Sequence, residues 1–396
     1  MTLSGRAPHN LKVSPPATDA RQLLEEAVRL GNDTLRRLAP QADSTGEFPT
    51  ESVGHVRDAG LLGLGVPTEF GGAGGTPGQF ATMVETLSQA DGSLGMIYIM
   101  HFAAAKSIEG SILSNRDMLL REIASGSHLS TLAASEQGTR SQFWLPVSRL
   151  EPSADGFTVN ASKSWVTSAH NADSFVATAQ SPAADSPMNS LCFLARPKAD
   201  GVTVGASFDG LGLRSNDAAP IELRGYAVAA GDLICEPGTG FQHLLGTVLP
   251  WFLVGTAAHS IGLCRSAVHL VEQHLGNSKF AHDGSRLADL PNLRGQLARM
   301  STTTDAASAL LGRAVAAMEG GDATATLLLL EARLFAVEAA VEVTDRALRC
   351  GGGAAFSKRV PLERVFRDSL AGRIMAPTTD HLEDLIGKAR LGMDLF

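Results

Sequence analysis

The stretch that decides the fold begins Ser-Thr-Leu-Ala-Ala-Ser-Glu-Gln-Gly-Thr-Arg-Ser-Gln-Phe-Trp at residues 130–144 and ends Ala-Ser-Lys-Ser-Trp-Val-Thr-Ser-Ala at residues 161–169. Each part is a short β-type run that finishes in hydroxyl side chains, and the second contains Trp165. Small hydrogen-bonding groups beside a large flat ring suit a planar heteroaromatic ligand. The competing interpretation is structural, with Trp165 in the core and the hydroxyls capping turns.

The flanks of this stretch differ from it in pattern. Apolar residues recur at helical spacing up to about residue 125, and again from Phe241 almost to the end. Between them, short β-rich runs recur every ~8–12 residues among Gly, Asn, Asp and Pro, which is typical of a small sandwich or barrel. The clearest strands are 158–160, 175–179, 191–195, 202–204 and 221–223.

We therefore predict an α+β chain with a helical N-terminal domain, a central β-barrel or sandwich, and a C-terminal helical bundle. The predicted bounds are 1–17 for a flexible tail, 18–126 for the helical domain, 127–240 for the β-domain and 241–396 for the bundle. The first helix is expected to end at Pro40. Residues 322–349 lack Gly and Pro and would span roughly 42 Å as a helix. Their apolar circumference favours a bundle and subunit packing.

The composition excludes several classes of protein. Hydrophobic residues make up 44% and charged residues 19%, and no uninterrupted apolar run approaches the ~18 residues of a membrane span. A net charge of −8 without a basic cluster argues against nucleic-acid binding. The four cysteines lack metal-ligand spacing, so we expect reduced thiols and no metal site. Residues 1–16 show no apolar signal segment, which predicts a cytoplasmic enzyme.

Six motifs then follow one another along the chain. They are Phe-Gly-Gly-Ala-Gly at 70–74, Ser-Glu-Gln-Gly-Thr-Arg-Ser at 135–141, Trp-Val-Thr-Ser at 165–168, Leu-Gly-Leu-Arg-Ser-Asn-Asp at 211–217, Gly-Thr-Gly-Phe at 238–241 and Pro-Leu-Glu-Arg-Val-Phe-Arg-Asp at 361–368. In this order they resemble the markers of the acyl-CoA dehydrogenase superfamily of flavoproteins. The resemblance covers about residues 20–396 and supports the same three-part architecture.

The resemblance implies a bound flavin, normally FAD. Ser135 would hydrogen-bond the pyrimidine side of the flavin ring, Trp165 would pack against the ring, and Thr167 would lie near N5, where hydride arrives. Neutral donors at the ring edge tune its electron affinity without a change of charge. Ser141 would lie near phosphate or the thioester. The resemblance also implies cofactor contacts from Arg349, Gly352 and Thr378, and substrate contacts from His101, Arg214 and Trp251.

The chain departs from the family at the catalytic base. Most members remove the α-proton of the acyl thioester with a glutamate a few residues after the Arg-Asp pair, and the matching position here is Ala376. A minority place the glutamate where this chain reads Leu-Pro-Trp-Phe-Leu at 249–253, again without an acid. A general base must reach its proton directly or through one water. The candidate substitutes are His101 and Asp380, for which the alternative is a capping or exposed role. Glu136 is not favoured, because its turn should face the cofactor.

The anchors for the adenosine half of the cofactor also differ. The family's Arg-x-x-Phe-Gly is replaced by Lys-Phe-Ala-His-Asp-Gly at 279–284, and its Gln-x-x-Gly-Gly by Arg-Cys-Gly-Gly-Gly at 349–353. Lys279 or Arg349 could supply the positive charge, although lysine is the less specific phosphate partner. FAD is favoured, and FMN stays open.

Three functions remain compatible with these residues. The leading one is a flavin-dependent dehydrogenase of acyl-CoA or acyl carrier thioesters with an atypical base. The second is a two-component flavin-dependent monooxygenase of the same fold, supplied by a flavin reductase, which needs no α-proton base. The third is a non-catalytic paralogue. The resemblance further implies a homotetramer and, for a dehydrogenase, an electron-transfer flavoprotein as partner.

Overall fold

The computed structural model describes residues 19–395, so the predicted tail at 1–17 lies outside the described residues. The N-terminal part is helical, as the pattern predicted. Its helices are α1 Ala20–Leu30, α2 Arg36–Thr45, α3 Thr50–Asp58, α4 Pro77–Ala90, α5 Gly92–Glu109 and α6 Arg116–Ala124. Helix α4 begins with a capping box in which Thr76 and Gln79 exchange hydrogen bonds, and Asp91 caps α5 by accepting from Ser93.

The predicted helix end at Pro40 is wrong. Helix α1 continues through a π-helical turn, Gly31–Leu35, into α2, which contains Pro40 and ends at Thr45; the next residue, Gly46, caps it in a left-handed conformation. Pro40 therefore removes one hydrogen bond of the helix, the one to the carbonyl of Arg36, without ending it.

Two sheets form the central part of the chain. The strands are β1 Ser130–Ala133, β2 Leu150–Ser153, β3 Gly156–Val166, β4 Ser174–Gln180, β5 Ser190–Ala195, β6 Val202–Val204 and β7 Ala219–Ala229. One sheet has the order β1-β4-β5 and the other β2-β3-β7-β6. Strands β1 and β4 run parallel, whereas every other pairing is antiparallel. Strands β4 and β5 are buried along their whole length, so the first sheet lies inside the fold.

The C-terminal part is a helical bundle. It comprises α7 Gly240–His243, α8 Leu249–Asn277, α9 Pro291–Glu319, α10 Ala325–Phe356, α11 Leu362–Ile374 and α12 Thr379–Leu391. Helices α8, α9 and α10 pack against one another, and α8 also packs on α4 and α5. The N-terminal helices therefore share one apolar core with the bundle.

One helix is more apolar over its length than the absence of long uninterrupted apolar runs led us to expect. The segment 240–277 is long and apolar enough to cross a membrane by length and composition, with a mean hydropathy of 1.4. However, 72% of the most apolar 18-residue stretch of this helix is buried by the rest of the fold, as in the core helix of a helical bundle.

Candidate active site

The fold brings the two hydroxyl clusters into contact. The backbone N–H of Ser164 donates to the carbonyl of Ser135 at 2.9 Å, and that of Gln137 donates to the carbonyl of Ser162 at 3.1 Å. The turn at 135–141 therefore packs against the C-terminal end of β3. Sequence order alone could not show that the two clusters form one surface.

A buried ion pair holds this turn in place. Lys163 of β3 contacts Glu136 at 2.6 Å, with side chains 0% and 3% exposed. Glu136 also accepts hydrogen bonds from the backbone of Val147 and from Ser148. Burial by itself would raise the pKa of Glu136, but Lys163 and Ser148 outweigh burial and lower it. The carboxylate is fully engaged, which agrees with its exclusion as a base.

Sequence reasoning missed Lys163, although a signal was present. Val159, Ala161 and Lys163 alternate along β3 and are all buried. A lysine at an inward position of an alternating strand requires a buried partner.

Trp165 stands at the open edge of this surface and is not a core residue. Its side chain is 58% exposed, and one face of its ring lies against Phe208 with centroids 4.1 Å apart. Its φ of 56° is in the left-handed region, which is strained for a bulky residue and is found most often at functional sites. The irregular pairing of β3 with β7 between Lys163 and Val166 permits this conformation.

Three hydroxyls on the turn 135–141 and just after β3 fit a flavin edge. Ser135 and Ser141 are half-buried and Thr167 is buried, yet none of their hydroxyls bonds to another described residue. By contrast, the nearby Ser162 donates to Glu222 at 2.9 Å. Unused donors beside an exposed flat ring match the needs of an isoalloxazine ring, so these residues fit the group that the resemblance implies.

The residues expected near the rest of the cofactor lie at helix ends. Arg349 is exposed on α10, and Gly352 interrupts that helix with φ 50° and ψ −137°. Thr378 caps α12 by accepting from the backbone of His381. Their roles toward a cofactor stay predictions.

The candidate bases are placed differently from one another. His101 is buried, with Nδ1 accepting from the backbone of Ser130 at 3.2 Å and Nε2 facing the carbonyl of Leu62 at 3.4 Å. Burial lowers the pKa of His101 to about 4. Both ring nitrogens are therefore occupied, and the geometry favours the structural alternative for this residue. Asp380 is exposed in the first turn of α12.

Arg214, predicted to contact substrate, braces two parts of the chain in this structure. Its Nε donates to the carbonyl of Asp43 at 2.9 Å, and its Nη1 contacts Asp209 at 2.6 Å. These contacts tie the end of α2 to the loop before β7.

A cationic side chain lies beside the position of the usual base. Arg333 of α10 is 0% exposed, and its Nη2 donates to the carbonyl of Met375, next to Ala376, at 2.8 Å. Its guanidinium lies 5.3 Å from the ring centre of Phe252. Its Nε and Nη1 have no hydrogen-bond partner among residues 19–395. Burial lowers the pKa of Arg333 to about 9, so it is charged at neutral pH.

Sequence reasoning missed Arg333 as well. The available signal was an arginine among the alanines and leucines of α10, on the buried face with Leu329, Ala332 and Ala336. Lys and Arg are rarely fully buried without a partner.

Trp251, predicted to contact substrate, lies in a cluster of aromatic rings. Trp251 is half-buried, with its ring centre 5.7 Å from that of Phe80 and 5.1 Å from that of Phe102. The ammonium of Lys106 lies 5.1 Å above the Trp251 ring. Trp251 therefore joins α8 to α4 and α5.

The two halves of the site meet through one further aromatic contact. Phe143, two residues after Ser141, lies 6.3 Å from Phe252 between ring centres. Because Phe252 also lies under Arg333, the hydroxyl turn and the position of the usual base belong to one continuous region.

Three segments, which together make up most of the chain, match family models. Residues 17–114 match "Acyl-CoA dehydrogenase, N-terminal domain", residues 131–226 match "Acyl-CoA dehydrogenase, middle domain", and residues 238–391 match "Acyl-CoA dehydrogenase, C-terminal domain".

Individual relatives agree with these matches. The chain is 28% identical over 362 residues to the probable acyl-CoA dehydrogenase YngJ of Bacillus subtilis, covering 89% of this chain and 93% of that protein. Butyryl-CoA dehydrogenase from Megasphaera elsdenii has the same fold, with a TM-score of 0.88, 22% identity, and 94% and 98% of the two chains covered. The FAD complex of PigA also has this fold, with a TM-score of 0.85, 19% identity, and 99% and 100% covered.

Proposed function

Because the chain belongs to the acyl-CoA dehydrogenase family, we propose that it oxidises the Cα–Cβ bond of an acyl thioester with an atypical base. Membership makes it a flavin oxidoreductase that acts on CH–CH groups, with FAD as the cofactor. The observation that carries the proposal is the set of unused hydroxyls of Ser135, Ser141 and Thr167 on the turn and strand end next to the exposed Trp165.

Each of these residues has a separate task. When bound, FAD supplies the hydride acceptor. Ser135 and Thr167 offer hydrogen bonds to its ring edge, and Trp165 offers a face for packing. Ser141 lies on the turn that Phe143 anchors to α8, which suits contact with phosphate or thioester.

The α-proton requires a base other than the family's glutamate. His101 would have to break both of its backbone contacts to accept a proton. Asp380 is exposed at the start of α12, four residues after Ala376, and makes no hydrogen bond or ion pair with the described part of the chain. We therefore place Asp380 ahead of His101 as the atypical base.

One observation favours a second function, that of a two-component monooxygenase. Beside Ala376 the structure presents the cation Arg333 instead of a carboxylate. An enzyme that receives reduced flavin from a separate reductase and activates oxygen needs no α-proton base at this position.

A dehydrogenase of this kind also requires a thioester substrate, an electron acceptor and a cellular compartment. We propose an acyl-CoA or acyl carrier thioester as substrate and an electron-transfer flavoprotein as electron acceptor. All four cysteines are buried and free, which agrees with a reducing cytoplasm.

The decisive experiment compares wild type with Ala376→Glu on butyryl-CoA and octanoyl-CoA without oxygen, by following the loss of flavin absorbance. A positioned proton acceptor is typically worth ~10²–10⁴-fold, so Ala376→Glu should accelerate bleaching by that order. Pairing with Arg333 would lower the pKa of the new glutamate and make it a weaker base, so the acceleration should lie toward the lower end of this range. Ala376→Gln is the matched control, because it adds similar bulk without a base.

The other outcomes separate the alternatives. Rapid bleaching by wild type that Asp380→Asn abolishes would establish Asp380 as the base. No bleaching in either protein, together with NADH-driven oxygen incorporation once a reductase is supplied, would replace the dehydrogenase with the monooxygenase. The absence of both activities would favour the non-catalytic paralogue.

A further inference from the structure

Arg333 carries a buried charge that the described chain does not neutralise. The side chain is fully buried, only Nη2 donates a hydrogen bond, and Nε and Nη1 donate none to residues 19–395. A buried charge without a partner is strongly destabilising unless a counter-charge compensates it. Two of its N–H groups are therefore available to a group from outside the described residues, and an anion would also neutralise the charge.

Its present contacts are too weak to substitute for a counter-charge. The ring of Phe252 offers a cation–π contact at 5.3 Å, and Met375 offers a neutral carbonyl at 2.8 Å. No carboxylate among the described residues pairs with it, and desolvation is the only influence acting on its pKa. A planar guanidinium with free N–H groups is suited to bidentate binding of a carboxylate.

The position of Arg333 indicates where this anion enters. Met375, whose carbonyl Arg333 holds, precedes Ala376, which is half-buried and carries only a methyl group where the family has its glutamate. Phe252 connects Arg333 to Phe143 and so to the hydroxyl turn. The guanidinium thus lies inside the fold, directly beside the position of the family's base.

We propose that Arg333 binds a carboxylate carried by the acyl part of the substrate, which enters over Ala376. Binding exchanges the hydrogen bond to the neutral Met375 carbonyl for charge-assisted bonds to the carboxylate. The substrate class is then a dicarboxylic acyl thioester and not a neutral straight-chain one. This inference rests on the proposed function, since it names the substrate of the same site.

The test measures binding and not turnover. The FAD-loaded protein is titrated calorimetrically with two pairs of thioesters that differ at the end of the acyl chain, namely succinyl-CoA against butyryl-CoA and glutaryl-CoA against valeryl-CoA. Because hydrogen bonds to charged groups are the stronger ones, we expect the carboxylate member to bind about 10- to 100-fold more tightly. Arg333→Gln should remove this preference, so that the two members of each pair bind with affinities within about threefold of each other.

Two further variants complete the test. Arg333→Lys keeps the positive charge but loses the planar guanidinium that binds a carboxylate through two N–H groups, so a reduced preference for the carboxylate thioester should remain. Arg373→Gln is the matched control, because Arg373 pairs with Glu338 on the partly exposed surface and its loss should not alter the preference.

Each result has a definite meaning. Equal affinities within both pairs, or a preference that survives Arg333→Gln, would overturn the inference and leave the proposed function standing. Failure of all four thioesters to bind would overturn both. If Arg333→Gln does not fold, the wild-type preference and its reduction in Arg333→Lys decide the matter.

Discussion

Replacing Glu136 with glutamine tests whether the buried ion pair holds the hydroxyl turn in place. The carboxylate of Glu136 contacts Lys163 at 2.6 Å and accepts from the backbone of Val147 and Ser148 at 2.7 Å each. Glutamine keeps one acceptor oxygen but leaves the lysine charge buried without a counter-charge. Removal of one partner from such a pair typically costs about 3–5 kcal/mol, and we expect Glu136→Gln to lower the free energy of unfolding by that amount.

The pH dependence of this loss follows from the lowered pKa of Glu136. Because the folded-state pKa is below the unfolded value, the pair stabilises the protein above the usual carboxyl pKa of about 4.5 and less as the pH falls through the folded value. The difference between wild type and Glu136→Gln should therefore be full at pH 7 and shrink below about pH 4.5.

The assay is urea unfolding followed by circular dichroism at a fixed protein concentration, which keeps any subunit association constant. Glu222→Gln is the matched control, since Glu222 is half-buried on the neighbouring strand and holds a single hydrogen bond from Ser162. It should cost about 1 kcal/mol or less. The double variant Glu136→Leu with Lys163→Met should be less destabilised than either charge-removing single variant.

Weaker flavin binding should accompany the loss of stability, because Ser135 is next to Glu136 and shares its turn. If Glu136→Gln costs no more than Glu222→Gln at pH 7, the ion pair does not stabilise the turn. If stability falls but flavin affinity is unchanged, the turn does not position the cofactor donors.

Further outcomes can be checked independently. FAD at a hundred times its dissociation constant should add about 2.7 kcal/mol to the free energy of unfolding. Thr167→Val should weaken FAD binding. If neither FAD nor FMN changes the tryptophan fluorescence or the Tm, the flavin site is wrongly placed. Burial raises the pKa of Asp368 to about 7 from 3.8, so its contribution to stability should fall by up to about 4 kcal/mol as the pH rises from about 4 to 7. Asp368→Asn, which can still accept the hydrogen bond from Leu213, should flatten that slope in thermal melts, and an unchanged slope would contradict the raised pKa. The family resemblance implies a homotetramer, and sedimentation should show one. Phe356 and Ile374, which expose 91% and 73% of their area, add apolar surface for subunit contact; a monomer at micromolar concentration would rule this out.

The sequence determined the architecture because its signals are local. Helical spacing, the Thr76–Gln79 capping box and the short β-rich runs depend on residues within a few positions of one another. The order of six motifs was enough to recognise the family and its flavin, and it exposed the missing glutamate at Ala376. Two local expectations needed correction: the helix does not end at Pro40, and the segment 240–277 is apolar over a greater length than its uninterrupted apolar runs indicate.

The tertiary structure alone decided which side chains face one another. Glu136 and Lys163 are 27 residues apart, Arg333 and Met375 are 42 apart, and no periodicity relates them. The same folding that buried His101 against two backbone groups left the hydroxyls of Ser135 and Thr167 unused. Charge and hydrogen-bond satisfaction depend on three-dimensional neighbours, so a sequence can name the chemical groups, but only packing determines which of them remain free for a ligand.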